Sequence, residues 1–73
     1  MSNQWTMLEI LQAGKRVLTD RQFDALRYAA AGYSIPKMAL AMGISQTRAH
    51  ALQQRAFQKV EQELTKESDA TAA

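Results

Sequence analysis

The chain has no cysteine and a single histidine, His50. No disulfide framework and no thiolate metal site can therefore form. His50 has no second histidine to share a metal and no carboxylate nearby on its own stretch. A triad with a distant Ser and Asp would need a pocket that so short a chain is too small to wall off. The three glycines stand alone at 14, 32 and 43, so there is no Gly-rich phosphate loop. The start, Met1-Ser-Asn-Gln-Trp, lacks the basic patch and apolar run of a signal segment. No stretch approaches the roughly 20 apolar residues that span a bilayer. These absences set the expectation: cytoplasmic, not an enzyme, no cofactor or metal, no membrane partner and no evident small-molecule ligand.

What is present is organised around residues 34–59. Ser34 can cap a helix, and Pro36, the only proline, sits in its first turn, where a missing N–H costs nothing. Gly43 supplies the left-handed residue that ends that helix. Ser45 caps the next, which meets neither Gly nor Pro afterwards. Ala39, four residues before Gly43, is small where two helices would cross. Met38, Met42, Ile44, Ala49 and Leu52 are apolar where such a pair must close. Helix, short glycine turn, helix is the form of a DNA-reading helix-turn-helix. An ordinary helical hairpin of a small bundle would share much of the pattern.

Charge is segregated. From Lys15 to Lys59 eight basic residues face two acids, a net +6; beyond Lys59 four acids face Lys66, a net −3. A basic centre suits a polyanion, although charged surfaces also serve simply to keep small proteins in solution.

Seventy-three residues make one domain, expected over 1–66 with a disordered tail at 67–73. Residues 4–13 read as a short apolar helix ended by Gly14, with Trp5, Leu8 and Leu11 on a stripe widened by Met7 and Ile10. It serves either as a lid on the core or as a dimer contact anchored by Trp5. Thr19 and Gln22 form a capping-box pattern opening a helix to about Ala31, stopped by Gly32. Phe23, Leu26 and Ala30 should be buried, with Tyr33 and Ile35 packed at the bend. The last helix should run from about Gln46 to Leu64, with Ala49, Leu52, Ala56, Val60 and Leu64 on one face and Phe57 at its edge. The fold expected is all-α, a helix-turn-helix domain of about four helices.

On the DNA reading, the first two turns of that last helix meet base edges: Gln46, Thr47, His50, Ala51 and Gln54. Gln pairs well with adenine, and Thr47 and Ala51 can pack on a thymine methyl. Arg21 and Lys37, near helix starts, fit phosphates, while Arg48 and Arg55 reach either guanine or the backbone. The reading requires Thr47, His50 and Gln54 to point outward.

Residues Leu18-Thr-Asp-Arg-Gln-Phe-Asp-Ala-Leu-Arg-Tyr-Ala-Ala-Ala-Gly-Tyr-Ser resemble the opening of LuxR-type and sigma-factor region 4 helix-turn-helix domains. Met38-Ala39, Met42-Gly-Ile-Ser45 and Arg55-Ala-Phe-Gln-Lys-Val continue the likeness, which covers about residues 18–64. Lys37 departs from it, standing where those families carry an acid, as does Arg48-Ala49-His50 at the helix entry. Size and the Leu-Thr opening are also similar to small stand-alone repressors of plasmids and phages, including the TrfB-like group. That resemblance implies a bacterial homodimer bound to double-stranded DNA at inverted repeats, repressing its own operon. A protein-interaction adaptor, such as an anti-activator or polymerase-binding module, would use the same fold.

Overall fold

One short phrase opens every helix: an apolar residue, then Ser or Thr, then a residue three further on whose backbone N–H the hydroxyl caps. In the computed structural model, which describes residues 5–72 and their side chains as far as Lys66, this phrase begins α1 (Met7–Val17), α2 (Asp20–Ala30), α3 (Ile35–Met42) and α4 (Gln46–Ala72). Thr6, Thr19, Ser34 and Ser45 accept from the N–H groups of Glu9, Gln22, Lys37 and Arg48. At α1 and α2 the cap is reciprocal, since Glu9 Oε1 accepts from Thr6 N at 2.8 Å and Gln22 Oε1 from Thr19 N at 3.2 Å. The residue before each of these two caps and the residue four after it occupy hydrophobic-staple positions. Trp5 with Ile10, and Leu18 with Phe23, pack against one core cluster. Helix starts are thus specified locally, and the described part of the chain is all-α.

Two clusters form the core, and α2 divides between them. Leu26 joins Ala13, Ala56, Val60 and Leu64 between α1, α2 and α4. Its neighbour Ala25 turns the other way, to Met38, Ala39 and Ala49 between α2, α3 and α4. Helix α4 packs on all three others. Its 27 residues, about 40 Å at 1.5 Å each, account for the 43 Å long axis of the molecule. Among the described residues five of the nine buried apolar ones are alanines, so the helices sit close together. Larger side chains close the edges of the two clusters, Phe23 and Leu18 on one and Tyr28 and Leu52 on the other among them.

Four expectations need correction. The first helix begins at Met7, because Thr6 and not an earlier residue caps it, and it runs through Gly14 to Val17. Gly14 is a packing residue: a Cβ there would lie 2.7 Å from Leu26 Cδ2 and 3.3 Å from both Leu18 Cδ1 and Phe23 Cδ1. Leu8, placed on the apolar stripe, is 63% exposed. Tyr33, placed in the core, is 36% exposed; its ring stacks on Tyr28 with centroids 5.0 Å apart. The helical backbone of α4 also continues past Leu64 to Ala72, through residues read as a tail. Neither Gly nor Pro stops it there, and alanine is the best helix former.

Gly43 does what its position requires, with φ +69° and ψ +36° at the end of α3. Nothing lies within 4 Å of where its Cβ would be, so a substitution there costs backbone energy without a clash. Gly43→Ala should lose about 1–2 kcal/mol in urea unfolding and Gly43→Asn less, since Asn tolerates left-handed backbone. If Asn, the larger residue, were the worse of the two, crowding and not the dihedral would be the cause.

Candidate nucleic-acid interface

Helix α3 and the start of α4 meet across Gly43, Ile44 and Ser45. Ile44 N donates to Ala39 O at 3.0 Å, folding the chain back onto the end of α3. Ala39 and Ala49 are 4% and 0% exposed, so the two helices touch through small residues on their inner sides. Met42, Ile44 and Leu52 pack at the border of that cluster. With Ala49 turned inward, the helical period turns its neighbours outward. Gln46, Thr47, His50, Ala51 and Gln54 are all exposed, forming one mostly polar strip over the first turns of α4. Within it Gln54 Nε2 lies 3.4 Å from His50 Nε2.

Arg48 and Arg55, seven residues apart, lie on the same side of α4 within about 20° of each other. Together with Gln22, Ser45, Thr47, Ala51 and Leu52 they line a shallow groove beside the strip. Lys59 continues the line but is tied down, its ammonium donating to Gln22 Oε1 at 3.4 Å. Gln22 therefore serves both the α2 cap and the bond to α4. Its place in the groove had no signal in sequence beyond the capping box, because the contact spans 37 residues.

The other cations divide by location. Arg16 pairs with Glu63 at 3.5 Å and Arg27 with Asp24 at 3.5 Å, exposed pairs worth under about 1 kcal/mol each. Arg21 Nη2 donates to Met42 O at 3.3 Å, bridging α2 to the end of α3. Four of its five N–H donors remain for another partner. Lys37 sits in the first turn of α3 with its ammonium 5.4 Å from the Tyr33 ring centroid. Among the described residues Lys37, Arg48 and Arg55 have no carboxylate partner. Arg48 and Arg55 thus bring unneutralised charge to the strip and Lys37 to the start of α3. Lys15 on α1 and Lys66 on α4 also lack a carboxylate among the described residues, and Glu61 and Glu63 lie further along α4.

Leu40 was not singled out in the sequence. It is 83% exposed, on the outer side of α3 where Pro36, Ile44 and Gln46 line the same depression. Among the described residues no group of three or more His, Cys, Asp or Glu could hold a metal. No helix there is long and apolar enough to cross a membrane. No protein-family model, curated protein or solved structure matches the chain.

Proposed function

We propose that this protein is a sequence-specific duplex-DNA-binding regulator of transcription, most simply a repressor that occludes a promoter as a homodimer on an inverted repeat. One observation carries the reading. The outward strip of Gln46, Thr47, His50, Ala51 and Gln54 stands on a rigid helix, flanked by Arg48 and Arg55, which no carboxylate neutralises among the described residues. A major groove admits such a helix, its base edges offer partners to Gln and Thr, and its phosphates attract the flanking charges. No catalytic step belongs to this function.

A single reading helix sees only a few base pairs, so useful specificity calls for two units with half-sites about 34 Å apart. Met7, Leu8 and Phe57, 51%, 63% and 43% exposed, offer apolar surface that a second copy would cover. Selection of bound sites from a random duplex pool is the test, with sedimentation reporting stoichiometry. Symmetric winners bound by two chains are expected; asymmetric winners bound equally well by a monomer would end the dimer model. Lys37→Ala should weaken binding to every sequence and flatten the salt dependence by about one phosphate contact. Gln54→Ala should instead change which base is preferred. Equal losses on all sequences for both variants would remove these assignments.

The exposure of Leu40 favours a second reading, an adaptor that docks on a protein. Binding to random duplex DNA that falls steeply with salt separates the two, since an adaptor has no phosphates to release counterions from.

A further inference from the structure

Gln54 and His50 are one turn apart on the outward strip, and both are exposed. The Gln54 side-chain N–H₂ approaches His50 Nε2 at 3.4 Å. An amide nitrogen carries only donors, so this contact is a hydrogen bond only if His50 Nε2 is the unprotonated ring nitrogen, the imidazole proton then residing on Nδ1. Spacing of four residues is the one at which helical side chains stack along a face. The pair therefore stands as a preformed unit before any ligand arrives.

We infer that His50 is a positioning residue for Gln54, holding its amide in the orientation that reads adenine; this rests on the DNA reading above. Adenine in the major groove presents an acceptor at N7 and a donor at N6. A Gln amide matches it with one N–H to N7 and its carbonyl oxygen to N6. The amide has two N–H donors and one oxygen. With one N–H held by His50, the remaining N–H and the oxygen are the complementary pair. A free Gln must instead fix its rotamers when it binds, and side-chain ordering weakens the contact. His50 removes part of that cost and biases the amide against the flipped orientation, which would present a donor to the donor at N6. The imidazole Nδ1–H remains available to a neighbouring acceptor.

The experiment measures duplex binding of wild type, His50→Ala, His50→Gln, Gln54→Ala and the double variant His50→Ala/Gln54→Ala. The probes are the duplex selected by wild type, the same duplex with each base pair replaced in turn, and random duplex. Wild type is expected to prefer adenine about ten-fold at one position, a preference that Gln54→Ala abolishes. His50→Ala should reduce it to about three-fold or less. His50→Gln, whose side-chain oxygen lies near the position of Nε2 and can accept the same N–H, should restore much of it. The double variant should bind the selected duplex no more weakly than Gln54→Ala alone, because the histidine acts through the glutamine. Full adenine preference in His50→Ala overturns the inference, as does additive loss in the double variant or loss of binding to random duplex. If wild type shows no salt-dependent duplex binding, the DNA reading itself fails, an outcome distinct from a wild type that binds with His50 playing no part.

Discussion

Met38→Ala should cost this protein about 2–5 kcal/mol of unfolding free energy, the range for emptying a fully buried Met site. Met38 is 0% exposed and shares its cluster with Ala25, Ala39 and Ala49. Its three fully buried neighbours are alanines with no side-chain reach to fill the void, so any collapse must come from Tyr28, Ile35, Met42, Ile44 or Leu52 at the border of the cluster. A domain of this size has a total stability at the lower end of about 5–15 kcal/mol, so the variant should be partly unfolded at ambient temperature. Thermal unfolding by circular dichroism should show a midpoint lower by about 10 °C or more. Met38→Leu, close to volume-conserving, should lose under about 1.5 kcal/mol. Because this cluster joins α2, α3 and α4, duplex affinity should fall in step with the folded fraction. A Met38→Ala protein within 1 kcal/mol of wild type would mean that the turn unit is not held by this cluster.

The second large effect is expected at Gly14. A leucine there must place its Cβ 2.7 Å from Leu26 Cδ2, and Leu26 is only 1% exposed. Neither side chain can leave, so α1 has to lift from α2. Overpacking of this kind costs about 1–3 kcal/mol, and the upper end is expected because Leu18 and Phe23 close the space on the other sides. Gly14→Ala should lose less, because its Cβ meets the same 2.7 Å contact but carries nothing beyond it, and up to about 1 kcal/mol of helix propensity offsets part of the cost. Urea unfolding of the two variants distinguishes this from a flexible glycine that merely ends a helix. In that case neither substitution would meet a barrier, and leucine, a strong helix former, would stabilise.

The same residue shows where reading from sequence stops. Gly14 looks like a helix stop because glycine is poor in helix interiors, and the identity of the residue opposite it cannot be known until α2 folds back. Tyr33 and Leu8 misled for a related reason: an apolar or aromatic side chain at the right period is buried only if another element lies on that side. At Leu8 none does, and Tyr33 remains half in solvent, stacked on Tyr28 and beneath Lys37. By contrast, the outward strip on α4 was legible in full. Ala49 and Ala56 set the inner face, and a rigid period of 3.6 residues then places Thr47, His50 and Gln54 opposite.

Local chemistry in the sequence determined the caps at Thr19, Ser34 and Ser45, the left-handed turn at Gly43 and the division of α4 into an inner and an outer face. Each depends on atoms within about four residues of one another, and such geometry is the same in any surroundings. Only the tertiary structure decided which cations are spoken for. Arg21 reaches the end of α3, Lys59 reaches Gln22 and Arg16 reaches Glu63, while Arg48 and Arg55 are left facing outward beside the strip. Those pairings join residues 21 to 47 positions apart, and only the packing of α1 and α2 against α3 and α4 brings the partners within reach.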